Sequence, residues 1–439
     1  MVPNRIAPEN SEERLIWWAI VGAWGFYAIG ALYLVGPALV IVLLSIYAWR
    51  HYAAPMRPAA RPRPIPVGVW VWIAGMAAML LALLVAHVAE DLGLAKTTKS
   101  SVGWLKGWGL MALFPLAGAC LNIRPALIVR ATGIFAKQTL VLIPILIAAA
   151  MVHLPSRLFV SPLQAVGGPG PEFFAVYLYI VDPASGAARW QFIAPWAPAA
   201  GMLSSMICIL AFFETDKRYR YIGFVVGIAM ALMTKSRMAM VFLVLVPPLV
   251  WTLARISRPR VLWVSAVLTT LTGAVGSFLA GIVFDAIAAF KGARADSTRV
   301  REALGRIAVD RWWDEAPIWG HGIVVRGGHN VEFMPIGSHH TWYGLLYVKG
   351  AVGALALALP IVWTIVEMML LAQVSAIGRM GLSICLMLVF YSFGENLEIL
   401  SYLFWPSSVL LGIALAGTGS RELAVEPATL DSAVAAAGA

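Results

Sequence analysis

The sequence predicts an all-α, polytopic membrane protein of about twelve transmembrane helices, with one large polar loop that carries an amphipathic helix. Three observations predict it. Charged residues are 12% of the 439 and hydrophobic residues 61%, with a mean hydropathy of +0.82, whereas a soluble chain of this length needs far more charge to cover its surface. The apolar residues fall in successive runs of roughly 20, the length that crosses a bilayer core. Finally, Arg and Lys cluster in alternate connections, as retention of positive charge on the cytoplasmic side requires.

The elements follow in order. The first eighteen residues mix Arg5 and Arg14 with Glu9, Glu12 and Glu13, and the apolar run behind them lacks a small-residue cleavage site, so it reads as a retained helix. Spans are expected near 15–33, 35–49, 67–89, 102–122, 130–153, 194–214, 220–234, 237–254, 261–284, 341–372, 378–394 and 399–416. With the N-terminus inside, the cytoplasmic connections are residues 50–64, the turn at Arg124 and Arg130, 215–220, 254–260, Arg379 and the tail. The opposite face then receives the Gly36 turn, the connection after Glu90, residues 154–193, the Thr234–Arg237 break, residues 285–340 and the turn around Glu395 and Glu398. This divides the chain into helices one to nine (1–284), the polar loop (285–340), helices ten to twelve (341–416) and a small, Ala-rich tail (417–439) that reads as disordered.

The net charge of +10 is topological rather than a nucleic-acid footprint, because its residues lie in short clusters between apolar runs. Cys120, Cys208 and Cys385 each sit inside an apolar run and read as small buried hydrophobes, with no disulfide framework. Glu90 and Asp91, with His87 a turn earlier, form an isolated acidic pair. His321 and His329 stand too far apart to make a zinc set with His339.

Chemistry concentrates around the loop. At about 100° per residue, Val300, Ala303, Leu304, Ile307 and Ala308 share one face and Arg299, Glu302, Arg306 and Asp310 another. Asp296 and Ser297 offer an N-cap, and Trp312, Trp313 and Trp319 suit a headgroup layer. The loop carries Lys291, Arg294, Arg299, Arg301, Arg306, Arg311 and Arg326 on the outer face, against the charge rule. Part of that set is a solvated face laced with ion pairs; beside lipid headgroups, the remainder points to a phosphorylated lipid. His339 and His340 stand at the entrance to the next span, with Ser338 available as its cap. A helix N-terminus disfavours imidazolium, so a histidine there stays neutral and can accept a proton. Lys235 and Arg237 interrupt an apolar stretch and either snorkel or face a polar cavity, the cavity being the better reading for Arg237. Glu395 and Glu398 lie between the last two spans, where carboxylates need cationic partners.

Together Ser236-Arg237, the stretch Asp296 to Gly322 ending in P-x-x-G-x-G, and the segment Ser338 to Gly350 resemble the O-antigen ligase and O-antigen polymerase superfamily of bacterial envelope glycan transferases. The resemblance covers roughly Lys217 to Phe404. It departs from the family pattern at His340, where an amide residue is usual, and at Tyr343, where Leu is usual. It implies a GT-C-like helical fold in the inner membrane, with residues 285–340 as a periplasmic catalytic loop and no required metal or cofactor. The donor would be an undecaprenyl-diphosphate-linked glycan, the acceptor lipid A-core or another lipid-linked glycan. His339, with His340 beside it, would be catalytic. Arg237, Arg301, Arg299 and Lys235 would bind the diphosphate, with Arg301 preferred over Arg299 for its distance before Pro317, and Glu395, Glu398 and Arg306 would support them. The Ser338–Gly350 segment leans towards a ligase. A polymerase would use the same residues, and a lipid-linked glycan transporter would be expected to show inverted repeats, which are not evident.

Overall fold

A computed structural model describes residues 6–53, 64–182, 186–274, 281 and 295–417. Five helices among them are long and apolar enough to cross a membrane: Leu32–Tyr52, Val67–Ala89, Pro125–Met151, Thr341–Ala372 and Leu397–Leu415. Shorter apolar helices stand beside them at Leu110–Cys120, Ala197–Phe212, Arg237–Leu253 and Ala376–Ser392. The chain is thus a mostly helical, membrane-embedded protein.

The expected first span is broken. Its residues form α1 (Ser11–Val21) and α2 (Ala23–Ala28), and the chain turns at Gly30, φ +65°, before α3 (Leu32–Ala48). Asn10 caps α1 by accepting from the Glu13 N–H at 2.8 Å, and α4 (Val67–Ala89) follows as expected. The span expected at 102–122 is a correction: its residues belong to α5 (Gly93–Lys106) and α6 (Leu110–Cys120). In α5 the spacing of Leu94, Val102 and Leu105 makes one apolar face, and Lys96, Lys99 and Lys106 lie on another. None of its residues is buried. It is an exposed amphipathic helix held by its edges, with Ser100 Oγ 3.0 Å from His87 Nε2 and Lys106 donating to the Gly167 carbonyl at 2.9 Å.

After α7 (Pro125–Met151), residues expected as a simple connection fold into two small antiparallel pairs. These are β1 (Arg157–Val160) with β2 (Ala175–Tyr177), and β3 (Ile180–Val181) with β4 (Ala188–Arg189). The fold is therefore helical with two short ribbons rather than strictly all-α. Next come α8 (Ala197–Phe212), α9 (Lys217–Met233), α10 (Arg237–Leu253) and α11 (Pro259–Ala274); the remainder of the expected 261–284 helix lies outside the described residues. The loop then supplies α12 (Ala295–Glu315), and α13 (Thr341–Ala372), α14 (Ala376–Ser392) and α15 (Leu397–Leu415) complete the bundle. The tail beyond residue 417, and with it the reading of disorder, lies outside the described residues.

The helix α15 is the axis of the core, 89% of its apolar window being buried. It meets α6 backbone to backbone, since a Cβ on Gly412 would come within 2.0 Å of the Pro115 carbonyl and one on Gly118 within 2.1 Å of the Val409 carbonyl. Small residues allow such approach where lipid-soluble helices gain little from burial alone.

The helix α13 is broken at Gly350, φ 63° and ψ −164°. The loop Pro317 to Gly322 lies across the break and repairs its backbone. His321 and Gly322 N–H donate to the Tyr347 and Val348 carbonyls at 2.9 Å each, while Ala351 and Val352 N–H donate to the Pro317 and Ile318 carbonyls at 2.9 and 3.2 Å. A helix interrupted in a membrane needs such substitutes, because lipid offers no hydrogen bonds. Gly320, φ +69°, lies close against the break: a Cβ there would stand 2.5 Å from the Lys349 backbone nitrogen.

Candidate functional site

The amphipathic helix α12 turns the expected face inward: Val300, Leu304 and Ala308 are buried. Gly305 presses on the Tyr343 ring, 2.7 Å from where its Cβ would be, so this edge of α12 faces the first turn of α13. Arg301 lies one turn before Gly305 on that edge, and its charge reaches both His339 and Glu395. Arg299 and Arg306, seven residues apart, share the outward face and are exposed. Asp296 and Ser297 stand in the first turn of α12, and what caps that helix lies outside the described residues. Arg311 is engaged structurally. It grips Glu315 with bonds of 2.9 and 2.8 Å, and Glu315 Oε2 lies 2.7 Å from His321 Nε2. Arg311 foremost, then His321, holds the Glu315 carboxyl down at about 2. His321 stacks on Tyr347 at 4.4 Å, which ties the end of α12 to the break in α13.

The two histidines divide. His340, not Ser338, caps α13: its Nδ1 accepts from the Tyr343 N–H at 3.3 Å, and its ring stacks on Tyr343 at 3.9 Å. The acceptor role fixes its proton on Nε2. Ser338 Oγ is buried without a hydrogen-bond partner, because Gly337 is pressed against Gly344, a Cβ at Gly337 coming 2.7 Å from Gly344 Cα. His339 takes φ +65°, a left-handed conformation that histidine enters more readily than most residues but still at a cost. Burial, and then the Arg301 charge, push the His339 imidazole down to about 4; burial pushes His340 to about 4 as well.

Glu395 sits in the turn between α14 and α15 and is wholly buried. Its Oε2 accepts from Trp196 Nε1 at 2.8 Å, and its Oε1 has no partner. Its carbonyl accepts from Thr341 Oγ1 at 2.7 Å, and the same hydroxyl accepts from the Leu397 N–H at 3.1 Å. Two residues after His339, the chain is thereby stapled to Glu395. Burial drives the carboxyl up to about 7, against the opposing effects of the Trp196 bond and the Arg301 and Arg189 charges.

The break before α10 closes the group. Lys235 takes φ +48°, and Ser236 Oγ caps α10 by accepting from the Ala239 N–H at 3.3 Å. Arg237 opens α10 and is partly buried. Its neighbour Met238 lies against Gly394, whose Cβ would meet the Met238 sulfur at 2.2 Å, so α10 starts beside the Glu395 turn. Arg189, on β4, is buried and donates from Nε to the Thr234 carbonyl at 2.5 Å, clasping the chain just ahead of Lys235. Glu398 points elsewhere. Its stem fills the space beside Gly107, 2.5 Å from a Cβ there, and its charge falls on Tyr33.

Of the sequence-selected residues, His339, Arg301 and Glu395 gather, with His340, Lys235 and Arg237 on adjoining turns. Arg299, Arg306 and Glu398 lie apart. Arg189 and Trp196 were not selected. A lone arginine and a tryptophan in a connection carry no spacing signal: the ribbon's docking at the end of α9 buries Arg189, and Trp196, half-buried just ahead of α8, reaches Glu395 from there. Among the described residues no group of three or more His, Cys, Asp or Glu could hold a metal; Glu90 is exposed. The chain matches no protein-family model and no curated protein.

Proposed function

We propose that the chain is a metal-independent glycosyltransferase of the bacterial inner membrane, built on a GT-C-like frame of about twelve spans. It moves a glycan from undecaprenyl diphosphate to an acceptor sugar at the periplasmic face, as an O-antigen ligase does to lipid A-core. The observation that carries this reading is a neutral histidine, His339, held at the mouth of a broken helix under the charge of Arg301.

In the reaction the acceptor hydroxyl oxygen bonds to the anomeric carbon as the bond from that carbon to the diphosphate oxygen breaks. The electron pair leaves with the diphosphate, and the hydroxyl proton passes to His339. The leaving group gathers negative charge, for which Arg301, Arg237 and Lys235 are the fixed cations; preorganised charge of this kind is a major source of rate. Arg299 and Arg306 face outward and suit lipid headgroups instead.

The test is glycan transfer in liposomes containing the full chain, undecaprenyl-diphosphate-linked O-antigen and rough lipopolysaccharide. His339→Ala should lower the rate by about 10²-fold or more, the usual worth of a positioned base, whereas His340→Asn, which keeps a side-chain cap, should retain most of it. Unchanged transfer by His339→Ala would remove the histidine from the chemistry. Growth of the carrier-linked chain without transfer to lipopolysaccharide would make the chain a polymerase.

A further inference from the structure

We infer that Lys349 binds a phosphate oxyanion carried by a membrane lipid, at a site separate from the His339 group and independent of the transfer reading. Lys349 is 3% exposed and is the last residue before the break in α13. Among the described residues its ammonium makes no hydrogen bond and no ion pair. Groups at the break that could have accepted from it are engaged. The Tyr347 and Val348 carbonyls take the His321 and Gly322 N–H, and the Glu315 carboxylate is held by Arg311 and His321. A charge shut away from water without a partner is strongly unfavourable, and an ionisable side chain buried in a membrane helix marks a ligand site. Two glycines seat the lysine. Gly353 leaves room for its stem, since a Cβ there would stand 2.3 Å from Lys349 Cβ and 3.5 Å from Cγ and Cδ, and Gly320 presses on its backbone from the loop side.

Depth selects the ligand. The helix α13 has 32 residues, whereas about 20 cross the hydrocarbon core. Residues 351–372, beyond the break, are enough by themselves, and they end where Gln373 meets Ser257 in an arginine-rich connection. Lys349 therefore falls at the level of the lipid phosphates of the other leaflet. The rim beside it is apolar: Ile318, whose carbonyl accepts from the Val352 N–H, and Leu355 are each 57% exposed, which suits a lipid chain rather than water. Lysine meets phosphate as a compact point charge, without the paired fork of arginine, so one anionic headgroup satisfies it.

The test uses the full chain, delipidated in detergent, with phosphatidylglycerol, phosphatidylcholine and inorganic phosphate as probes. In native mass spectrometry the wild type should retain a single phosphatidylglycerol. Its preference over phosphatidylcholine, whose phosphate is paired with its own choline, should be about tenfold or more in apparent Kd, the worth of one charge-assisted hydrogen bond. Lys349→Met, an uncharged chain of similar length, should lose that preference. Thermal unfolding adds a signature that a lysine kept for packing lacks. Without lipid, Lys349→Met should melt at or above the wild-type temperature, because an unpaired charge has been removed, and only the wild type should gain on adding phosphatidylglycerol. A wild type with no preference between the two lipids overturns the site whether or not the variant folds. A Lys349→Met protein that keeps the preference, or that melts below wild type in detergent alone, assigns the lysine to packing and overturns it as well. Inorganic phosphate that stabilises the wild type as much as phosphatidylglycerol does would keep the oxyanion but overturn the lipid as its source.

Discussion

His339 is both strained and desolvated, and the two conditions separate by substitution. Its φ of +65° is one that glycine adopts without a side-chain penalty, so His339→Gly should stabilise the detergent-solubilised protein by about 1 kcal/mol while removing activity. A thermal unfolding series beside a transfer assay reads both; a variant that loses stability would show that the imidazole packs more than it strains. Desolvation predicts a pH dependence of definite sign. His339 and His340 are held near 4 in the fold and return to about 6.5 when unfolded, so the unfolded state binds the extra protons and stability falls as pH drops from 6.5 towards 4. Glu395 does the reverse: raised from 4.5 to about 7, it binds protons first in the folded state, and its contribution grows as pH falls through 7 towards 4.5. The two trends oppose each other over nearly the same range. Glu395→Gln should therefore uncover the histidine term and lose stability more steeply than wild type between pH 6.5 and 4.

At the scale of elements, the break in α13 turns a loop and a helix into one site. Gly350 combines φ 63° with a Cβ position 2.3 Å from the Ile318 carbonyl, so Gly350→Ala meets both backbone strain and backbone collision. We expect a loss of about 3 kcal/mol and loss of transfer, read by unfolding in detergent and by the liposome assay. A stable, active Gly350→Ala protein would mean that the loop does not need the break. This element also shows what the sequence could convey. The apolar stripe of α12 was legible because Val300, Leu304 and Ala308 repeat at helical spacing, whereas Gly350 was marked only as the end of the segment that carries the family resemblance. The cap was misread: Ser338 is the better capping residue by type, but the pressure of Gly337 on Gly344 moves the helix start to His340. The amphipathic α5 was missed because its sparse apolar residues join the following run at Gly107, and hydropathy does not see a turn between two apolar segments. Arg189 and Glu398 illustrate the remaining limit, since whether a polar residue in a connection faces the His339 group depends on tertiary docking that no local pattern encodes.

Across the whole molecule, among the described residues, the contacts between alternate connections gather at two ends of the bundle. At one end Arg50 pairs with Glu12 and Arg124 with Glu9 and Glu13, Arg130 with Glu214 at 2.8 Å, and Ser257 Oγ donates to Gln373 Oε1 at 2.9 Å. At the other, His87 reaches Ser100, Lys106 the 166–167 carbonyls, Arg189 the end of α9, and Trp196 and Thr341 the Glu395 turn. The first end holds the arginine-rich connections that the charge rule assigns to the cytoplasm, and the proposed function requires the His339 group, at the other end, to open on the opposite face. Cysteine labelling tests this directly, because the native Cys120, Cys208 and Cys385 are buried and give a low background. Thr98→Cys, on the exposed side of α5, should react with a membrane-impermeant maleimide in right-side-out spheroplasts. Arg258→Cys, between α10 and α11, should react only in inverted vesicles. The opposite pattern would turn the His339 group to the cytoplasm, away from the face where a finished carrier-linked glycan meets its acceptor, and the ligase proposal would fall with it.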